Sequence, residues 1–173
     1  MSRWISYYPL ILIVLTSPAL AKPPTILGWV EEVKIDGVDV TFKAKLDTGA
    51  KTSSIDAEVI DIRKEGKKIK HKRTGEIIVF SVRDEKTGSA STFERAILRY
   101  VRIKKKGGGY LRRPVIEMTF CLAGKWIKEE VNLANRENFI YPVLVGRNMM
   151  EHARLAVDPA RTFTSRPRCE AKP

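Results

Sequence analysis

Residues 43–55 read KAKLDTGAKTSSI, and this stretch places Asp47, Thr48 and Gly49 directly after an apolar strand end. Two interpretations compete. In the first, Asp47 begins an Asx-type turn and its carboxylate is solvated. In the second, the glycine allows close backbone approach and the hydroxyl fixes the loop, so that the carboxylate can activate water as a general base. The sequence D-T-G occurs once in the chain.

The N-terminus has the pattern of a secretory signal peptide over residues 1–21. Arg3 provides a positive start, residues 4–15 form a short apolar run, and Ala19-Leu20-Ala21 fits a peptidase site. We therefore expect cleavage and a single domain over residues 22–173, in the periplasm or secreted. An uncleaved N-terminal anchor is the alternative.

The chain is strongly basic, and this bears on its partners. The net charge of +12 falls to +11 when Arg3 is removed with the leader. Such a charge favours nucleic acid, anionic lipid headgroups or anionic cell-wall polymers, unless it serves only solubility. Nucleic acid is disfavoured outside the cytoplasm, and the basic segment 63–75, with seven Lys or Arg, contains no aromatic residue to stack on bases. We interpret that segment as a solvated loop or hairpin.

Strand patterns dominate the chain, and no helical period is sustained. Asp36-Gly37 between two apolar runs predicts a hairpin of strands 28–33 and 38–46. Further single strands are predicted over 53–62, 76–83, 91–103, 115–122 and 125–133. After a short apolar run at 141–145, one or two helical turns are predicted at 149–153, and Asp158-Pro159 separates strands 155–157 and 161–164. The fold class is all-β and barrel-like, with one short helix.

One carboxylate is poorly equipped to hydrolyse a peptide bond, because the reaction needs both a base for the water and an acid for the substrate. Two carboxyls that share one proton supply both. The chain has seven aspartates, at positions 36, 39, 47, 56, 61, 84 and 158. Only Asp47 stands in a D-T-G or D-S-G context, so the second carboxylate must come from another copy of the chain on a two-fold axis.

Three segments, in order, resemble those of retropepsin-type aspartic proteases: LDTGA (46–50), GGGYLRRPV (107–115) and VLVGRN (143–148). Over about residues 26–165, the stretches GWVEEV, KAKLDTGAKTS, RPVIEMTFCLAG, EVNLANREN, YPVLVGRNMM and AVDPARTF resemble the bacterial retropepsin-like family that carries the label ATP-dependent zinc protease. The resemblance implies a retropepsin-like closed barrel (the acid-protease fold) and an aspartic endopeptidase that acts as a homodimer on peptides or proteins.

The resemblance also implies residue roles. Asp47 is the catalytic carboxylate, in a loop that continues through Thr48, Gly49 and Ala50. The implied flap tip is glycine-rich, and the implied loop support is the G-R-N segment; these are Gly107, Gly108 and Gly109, and Gly146, Arg147 and Asn148. A flap closes over substrate and excludes water.

Two features depart from the sequence pattern of viral retropepsins. Lys51 replaces the acidic residue that pairs with the arginine of G-R-N, so Arg147 is expected to find another partner, Asp56 or Asp158. The chain between Asp47 and Gly108 is also about twice as long as the viral equivalent. Both features leave the substrate open.

No metal or cofactor is expected, despite the family label. His71 and His152 are far apart, and the sequence contains neither H-E-x-x-H nor C-x-x-C, nor a phosphate-binding G-x-x-x-x-G-K-[ST] loop. Both histidines are interpreted as surface residues.

Two alternatives stay open. Cys121 and Cys169 allow one intramolecular disulfide, but sequence alone does not give their separation. The domain could also be a non-catalytic binding module that holds acidic peptides or cell-wall polymers, in which case Asp47→Asn should be tolerated.

Overall fold

A computed structural model describes residues 22–64, 74–84, 87–104 and 107–170 of the 173-residue chain. The predicted signal peptide, most of the basic segment and His71 lie outside these ranges. The elements are β1 (Thr25–Ile35), β2 (Thr41–Leu46), β3 (Ser53–Asp56), β4 (Glu58–Lys64), β5 (Glu76–Arg83), β6 (Ala90–Ala96), β7 (Arg99–Lys104), β8 (Tyr110–Leu122), β9 (Lys125–Ala134), β10 (Val143–Val145), α1 (Arg147–Ala153) and β11 (Leu155–Thr162). No helix in these ranges is both long enough and apolar enough to cross a membrane.

The main sheet has eight strands and curls back on itself. Its order is β11-β1-β2-β10-β3-β9-β8-β7, and β1 also pairs with β8. This extra pairing joins Val33 to Leu122 and Ile35 to Phe120, so six of the strands form a ring. The all-β class with one short helix is therefore confirmed, and the sheet is partly ring-like.

A second sheet of three antiparallel strands, β4-β5-β6, packs against the first. Its middle strand buries Ile78, Phe80 and Val82, and the Phe80 ring stacks on Phe93 at 5.4 Å between centroids. These side chains belong to the same hydrophobic core as Val33 and Phe120 of the main sheet. Burial of such a core is the main stabilising term for a domain of this size.

Three strand predictions were wrong. In the first two, the backbone changes hydrogen-bond partners at a point where the sequence carries no turn signal. Residues 53–62 form two strands, β3 and β4, which separate at Ala57 and join different sheets. Residues 91–103 likewise divide into β6 and β7, since Ile97 N donates to Glu76 O and Leu98 N to Val115 O. Pro159 does not break β11; that strand lies at the sheet edge, where proline is tolerated, opposite a register shift between Gly28 and Val30.

The segment after β11, residues 163–170, is fastened along the sheet, and we call it the C-terminal strap. The structure joins Cys121 of β8 and Cys169 of the strap in a disulfide, with 5.9 Å between their Cα atoms. Trp126 Nε1 donates to Glu170 O at 2.7 Å. The strap is also held by Glu31, which is fully buried and accepts hydrogen bonds from Thr164 and Ser165.

Candidate active site

Asp47 follows β2 directly, and its backbone is fixed by β10. Its N–H donates to Val145 O at 2.8 Å. Its Oδ1 accepts hydrogen bonds from Gly49 N at 2.9 Å and Ala50 N at 3.3 Å, so the Asx-type turn forms. The side chain nevertheless remains 28% exposed. The turn thus orients the carboxylate while leaving it accessible. This geometry is compatible with both interpretations of the DTGA stretch, the solvated turn and the general base.

The second oxygen of this carboxylate, Oδ2, lies 3.5 Å from Lys45 Nζ. Lys45 is 43% exposed, and an ion pair in such a solvated position contributes little to stability. The lysine side chain can therefore move away without a large cost when another group approaches Asp47. Thr48 and Gly49, next along the loop, are both exposed.

The G-R-N segment contacts the Asp47 loop, as the resemblance implied. Arg147 Nη1 donates to Thr48 O at 2.9 Å and to Gly49 O at 3.4 Å. Arg147 N donates to Ala50 O, and Asn148 N donates to Lys51 O. The expectation that Arg147 would pair with Asp56 or Asp158 was wrong, because backbone carbonyl oxygens take the place of the missing acidic residue.

Those two aspartates have other partners. Asp56 Oδ1 accepts a hydrogen bond from Arg136 N, and Asp158 Oδ1 accepts one from Ala160 N at 2.9 Å. Asp158 therefore stabilises its own local turn, whereas Asp56 ties β3 to the segment that follows β9.

Gly146 is needed for the close approach of this segment to the loop. A β-carbon at Gly146 would lie 2.7 Å from Thr52 C and 2.9 Å from Ser53 N, both backbone atoms that cannot move independently. Gly146 N also donates to Ser53 Oγ at 3.0 Å, and Ser53 is fully buried. The loop that carries Asp47 is thus held from behind by α1 and β10.

The predicted flap glycines lie at the connection between β7 and β8. Gly107, Gly108 and Gly109 are exposed and have φ values of 96°, 101° and 74°, a region that glycine occupies without strain. A β-carbon at any of them would meet no atom within 4 Å beyond the adjacent residues. The structure places these glycines on a hairpin, as predicted, and their action as a flap stays a prediction.

Two arginines near the site were not singled out from the sequence. Arg136 is 6% exposed, donates from Nε to Tyr141 O at 3.0 Å, and stacks on the Phe139 ring at 4.5 Å. Burial lowers the pKa of Arg136 below its ordinary value, and the positive charge of Arg113 lowers it further, whereas Asp56 and Asp47 act in the opposite direction. Arg136 is thus within electrostatic reach of the Asp47 carboxylate.

Arg113 is the second of these residues. Its Nη1 is 3.5 Å from Asn132 Oδ1, and its buried Nε has no hydrogen-bond partner among the described residues. Burial lowers the pKa of Arg113. Both arginines lie within stretches that carry the family resemblance, RPVIEMTFCLAG and EVNLANREN, but nothing in either stretch signals that its arginine turns inward.

A groove of about 810 Å³ runs between the two sheets beside these arginines. It is lined by residues of both sheets, among them Asp56, Val59, Ser81, Arg113 and Leu133. A cleft of this size is large enough to hold several residues of an extended peptide.

Comparison with known proteins now identifies the family. The model for the RimB-like family, described as retropepsin-like aspartic endopeptidase RimB, matches residues 26–168. The chain belongs to this family. The predicted resemblance to bacterial retropepsin-like proteins is confirmed. The RimB-like match includes the Asp47 loop, the β7–β8 hairpin and the G-R-N segment.

Individual relatives differ in what their names say. The chain is 34% identical over 125 residues to a probable alpha-L-glutamate ligase of Shewanella pealeana, and 33% identical to one of Shewanella halifaxensis. Each alignment covers 70% of this chain but 25% of the relative, so the chain spans about a quarter of the length of the curated relatives it matches.

A solved structure is also similar. The Legionella pneumophila protein Lpg0085 (DUF785), described as of unknown function, is 34% identical with a TM-score of 0.65, over 82% of this chain and 98% of the other. The family match shows that the chain has the aspartic-protease-like fold.

Within the described ranges, no three His, Cys, Asp or Glu side chains lie close enough together to bind a metal ion. His152 is 63% exposed, and its Nδ1 lies 3.2 Å from Glu129 Oε2. That arrangement is a surface contact between two side chains.

Proposed function

We propose that this RimB-like protein is an aspartic endopeptidase that hydrolyses peptide bonds between two Asp47 carboxylates contributed by two copies of the chain. The observation that carries the proposal is the Asp47 loop itself. Its carboxylate is oriented by Gly49 N and Ala50 N, remains part-exposed, and is backed by Arg147 and Gly146. Because this loop is supported on its buried side and exposed on the other, it can contact the same loop of a second chain across a two-fold axis.

The proposed reaction uses a water molecule held between the two carboxyl groups, which together carry one proton. The ionised carboxylate takes a proton from the water as the water oxygen bonds to the substrate carbonyl carbon. The protonated carboxyl gives its proton to the carbonyl oxygen, which yields a tetrahedral diol. The carboxyl that took the water's proton then protonates the nitrogen while the other carboxylate takes a proton from a diol hydroxyl. The C–N bond breaks, which leaves a carboxylic acid and an amine and returns the pair of carboxyl groups to one shared proton.

The proposal extends to location and substrate. The N-terminal leader pattern and the Cys121–Cys169 disulfide both support an oxidising compartment, the periplasm or the exterior. The net charge of +12 favours acidic substrates, and the name alpha-L-glutamate ligase carried by two relatives makes glutamate-rich peptides the first to try.

The test compares the wild-type protein with Asp47→Asn and with Asp39→Asn, an exposed aspartate on the turn between β1 and β2. Each is incubated with a diverse peptide library, including acidic sequences, between about pH 4 and pH 8, and products are read by mass spectrometry. We expect cleavage by the wild type and Asp39→Asn, and none by a folded Asp47→Asn. Equal cleavage by all three would exclude Asp47 as the catalytic group.

A mixing experiment tests the dimeric dyad separately. Wild-type chain at fixed concentration is equilibrated with an equal amount of Asp47→Asn. If each active site needs Asp47 from both copies, activity falls to about half, because half of the wild-type chains enter mixed dimers. Unchanged activity would mean that one chain is sufficient.

The second candidate is a non-catalytic module that binds acidic peptides or cell-wall polymers. It is favoured by one observation: the matching region is about a quarter of each ligase-named relative, as an appended binding domain would be. In that case the wild type binds acidic peptides without cleaving them, and Asp47→Asn binds them equally well.

A further inference from the structure

The β7–β8 hairpin has two chemically different faces, and only one is explained by the proposed active site. Side chains alternate along each strand. One face carries Val101, Leu111 and Arg113, and the last two line the groove between the sheets. The other face carries Lys104 and Pro114 together with Tyr100, Arg102, Tyr110 and Arg112, and we call the last four residues the arginine–tyrosine face.

The two arginines of this face lie directly opposite each other. Arg102 pairs in register with Arg112 across the antiparallel strands. Like charges at such a position repel, since their β-carbons are only about 5 Å apart. Within the described ranges, neither arginine forms an ion pair with a carboxylate. A sheet that keeps two unneutralised cations side by side is poised to bind an anion between them.

Each arginine is also held in place by a ring on the opposite strand. The Arg102 guanidinium lies 4.2 Å from the centre of the Tyr110 ring, and that of Arg112 lies 4.4 Å from the centre of the Tyr100 ring. Tyr100 is itself fixed, because its hydroxyl donates to Glu76 Oε2 at 3.0 Å. Stacking uses the flat surface of a guanidinium and leaves its N–H edge free for bidentate contact with an oxyanion.

The four side chains surround an open depression of about 620 Å³. Arg112 is a lining residue of both this depression and the 810 Å³ groove between the sheets, so the two adjoin at β8. A chain that leaves the groove can reach the arginine–tyrosine face by passing around β7, which is the edge strand of the sheet.

We propose that the arginine–tyrosine face is an accessory binding site for an acidic polypeptide segment, whose carboxylates bind Arg102 and Arg112. In an extended peptide, side chains two residues apart point the same way at about 6.6 Å spacing, so two such carboxylates can reach the two guanidinium groups that neighbouring strands present. One side of each tyrosine ring is covered by a guanidinium group, which leaves less ring surface for stacking on bases. Val101, Ile103 and Leu111 belong to the opposite face, so no aliphatic side chain of the hairpin tip lies beside the two arginines, which disfavours a lipid surface as the occupant.

The site would select substrates that carry an acidic stretch beside the bond to be cleaved. That consequence rests on the proposed peptidase function, whereas binding itself does not. The two can be separated by measuring binding in full-length Asp47→Asn, which cannot cleave the probe if the proposed function is correct and binds it regardless.

The probe is a fluorescent glutamate-rich decapeptide, titrated by anisotropy against Asp47→Asn protein. Arg102→Gln/Arg112→Gln in this background should weaken binding about tenfold or more, because it removes two charge-assisted contacts. The matched control, Arg95→Gln/Arg161→Gln, removes the same charge from two exposed positions elsewhere and should change binding less than about threefold. Equal weakening by both pairs would show diffuse attraction and overturn the proposal.

Tyrosine variants test the stacking. Tyr110→Phe keeps the ring and should bind as well as the parent, while Tyr110→Leu should weaken binding because Arg102 loses its support. No difference between these variants would contradict the assigned geometry. Inorganic polyphosphate and phosphatidylglycerol vesicles are titrated in parallel, and if either requires Arg102 and Arg112 while the peptide does not, the occupant is not a polypeptide.

Discussion

Glu31 provides the sharpest test of how this domain is held together. Its carboxylate is fully buried, and Oε1 accepts hydrogen bonds from Gly28 N at 2.7 Å, Thr164 N at 2.9 Å and Thr164 Oγ1 at 2.6 Å. Oε2 accepts two more, from Ser165 N at 2.9 Å and Ser165 Oγ at 2.8 Å. One side chain thus fastens the C-terminal strap to β1.

The substitution Glu31→Gln keeps the shape but removes the charge and one acceptor. With its oxygen at the Oε1 position, glutamine would direct its NH₂ at Ser165 N–H, so two donors would face each other, although Ser165 Oγ could rotate to accept. One buried N–H without a partner costs about 1–3 kcal/mol, and the remaining bonds lose their charge assistance. We expect a loss of about 3 kcal/mol of unfolding free energy, which corresponds to about 6–12 °C in Tm for a domain of this size.

The effect also depends on pH in a defined direction. Burial alone would raise the pKa of Glu31, but the hydrogen bonds from Thr164 and Ser165 outweigh it and hold the pKa below its ordinary value of 4.5. The stabilisation is therefore complete above about pH 4.5 and is lost as pH falls through the lowered pKa. Glu31→Gln should consequently show a shallower loss of stability below pH 4.5 than the wild type.

The unfolding free energies of the wild type and Glu31→Gln are measured at each pH by urea unfolding. Tryptophan fluorescence is the signal, because Trp126 contacts the strap directly. The control is Glu32→Gln, which removes only a part-exposed ion pair with Arg166 and should cost about 1 kcal/mol or less. A loss below about 1 kcal/mol for Glu31→Gln, or an acid limb identical to that of the wild type, would refute the reasoning.

Three further predictions concern the disulfide and the support of the Asp47 loop. Cys121→Ser/Cys169→Ser opens a link with a sequence separation of 48 and should cost up to about 4 kcal/mol, measured by urea unfolding with the reduced wild type alongside. Gly146→Ala places a β-carbon 2.7 Å from Thr52 C and should cost about 1–3 kcal/mol in the same assay while lowering peptide cleavage. Arg147→Ala should change stability by less than about 1 kcal/mol, since the side chain is exposed. It should nevertheless lower turnover about tenfold, because Thr48 O and Gly49 O lose their donor. An unchanged kcat would argue against support of the loop by Arg147.

The sequence predicts strands better than it predicts where the chain changes sheet. Alternation identified β5 and the second half of β8, because alternate apolar residues such as Ile78, Phe80 and Val82 are buried, which is a property of the strand's own residues. The breaks at Ala57 and at Ile97–Leu98 were missed because they depend on remote backbone partners. Ala57 N donates to Ala134 O, and Leu98 N donates to Val115 O. No glycine or proline marks either point.

The same distinction applies to the site. The Asp47 loop was singled out from its residue types and the G-R-N segment from the family resemblance. The structure gives the reason: the loop needs a carboxylate that accepts from Gly49 N, and the segment needs a Gly146 without a β-carbon. Arg113, in β8, and Arg136, which follows β9, were missed, since arginines ordinarily lie at the surface and only tertiary packing turns these two inward. An arginine with a buried unpartnered Nε next to a groove is costly unless something binds there. Arg113 in the groove and the arginine–tyrosine face on the other side of the same hairpin both supply positive charge, which favours the acidic polypeptide proposed as the occupant.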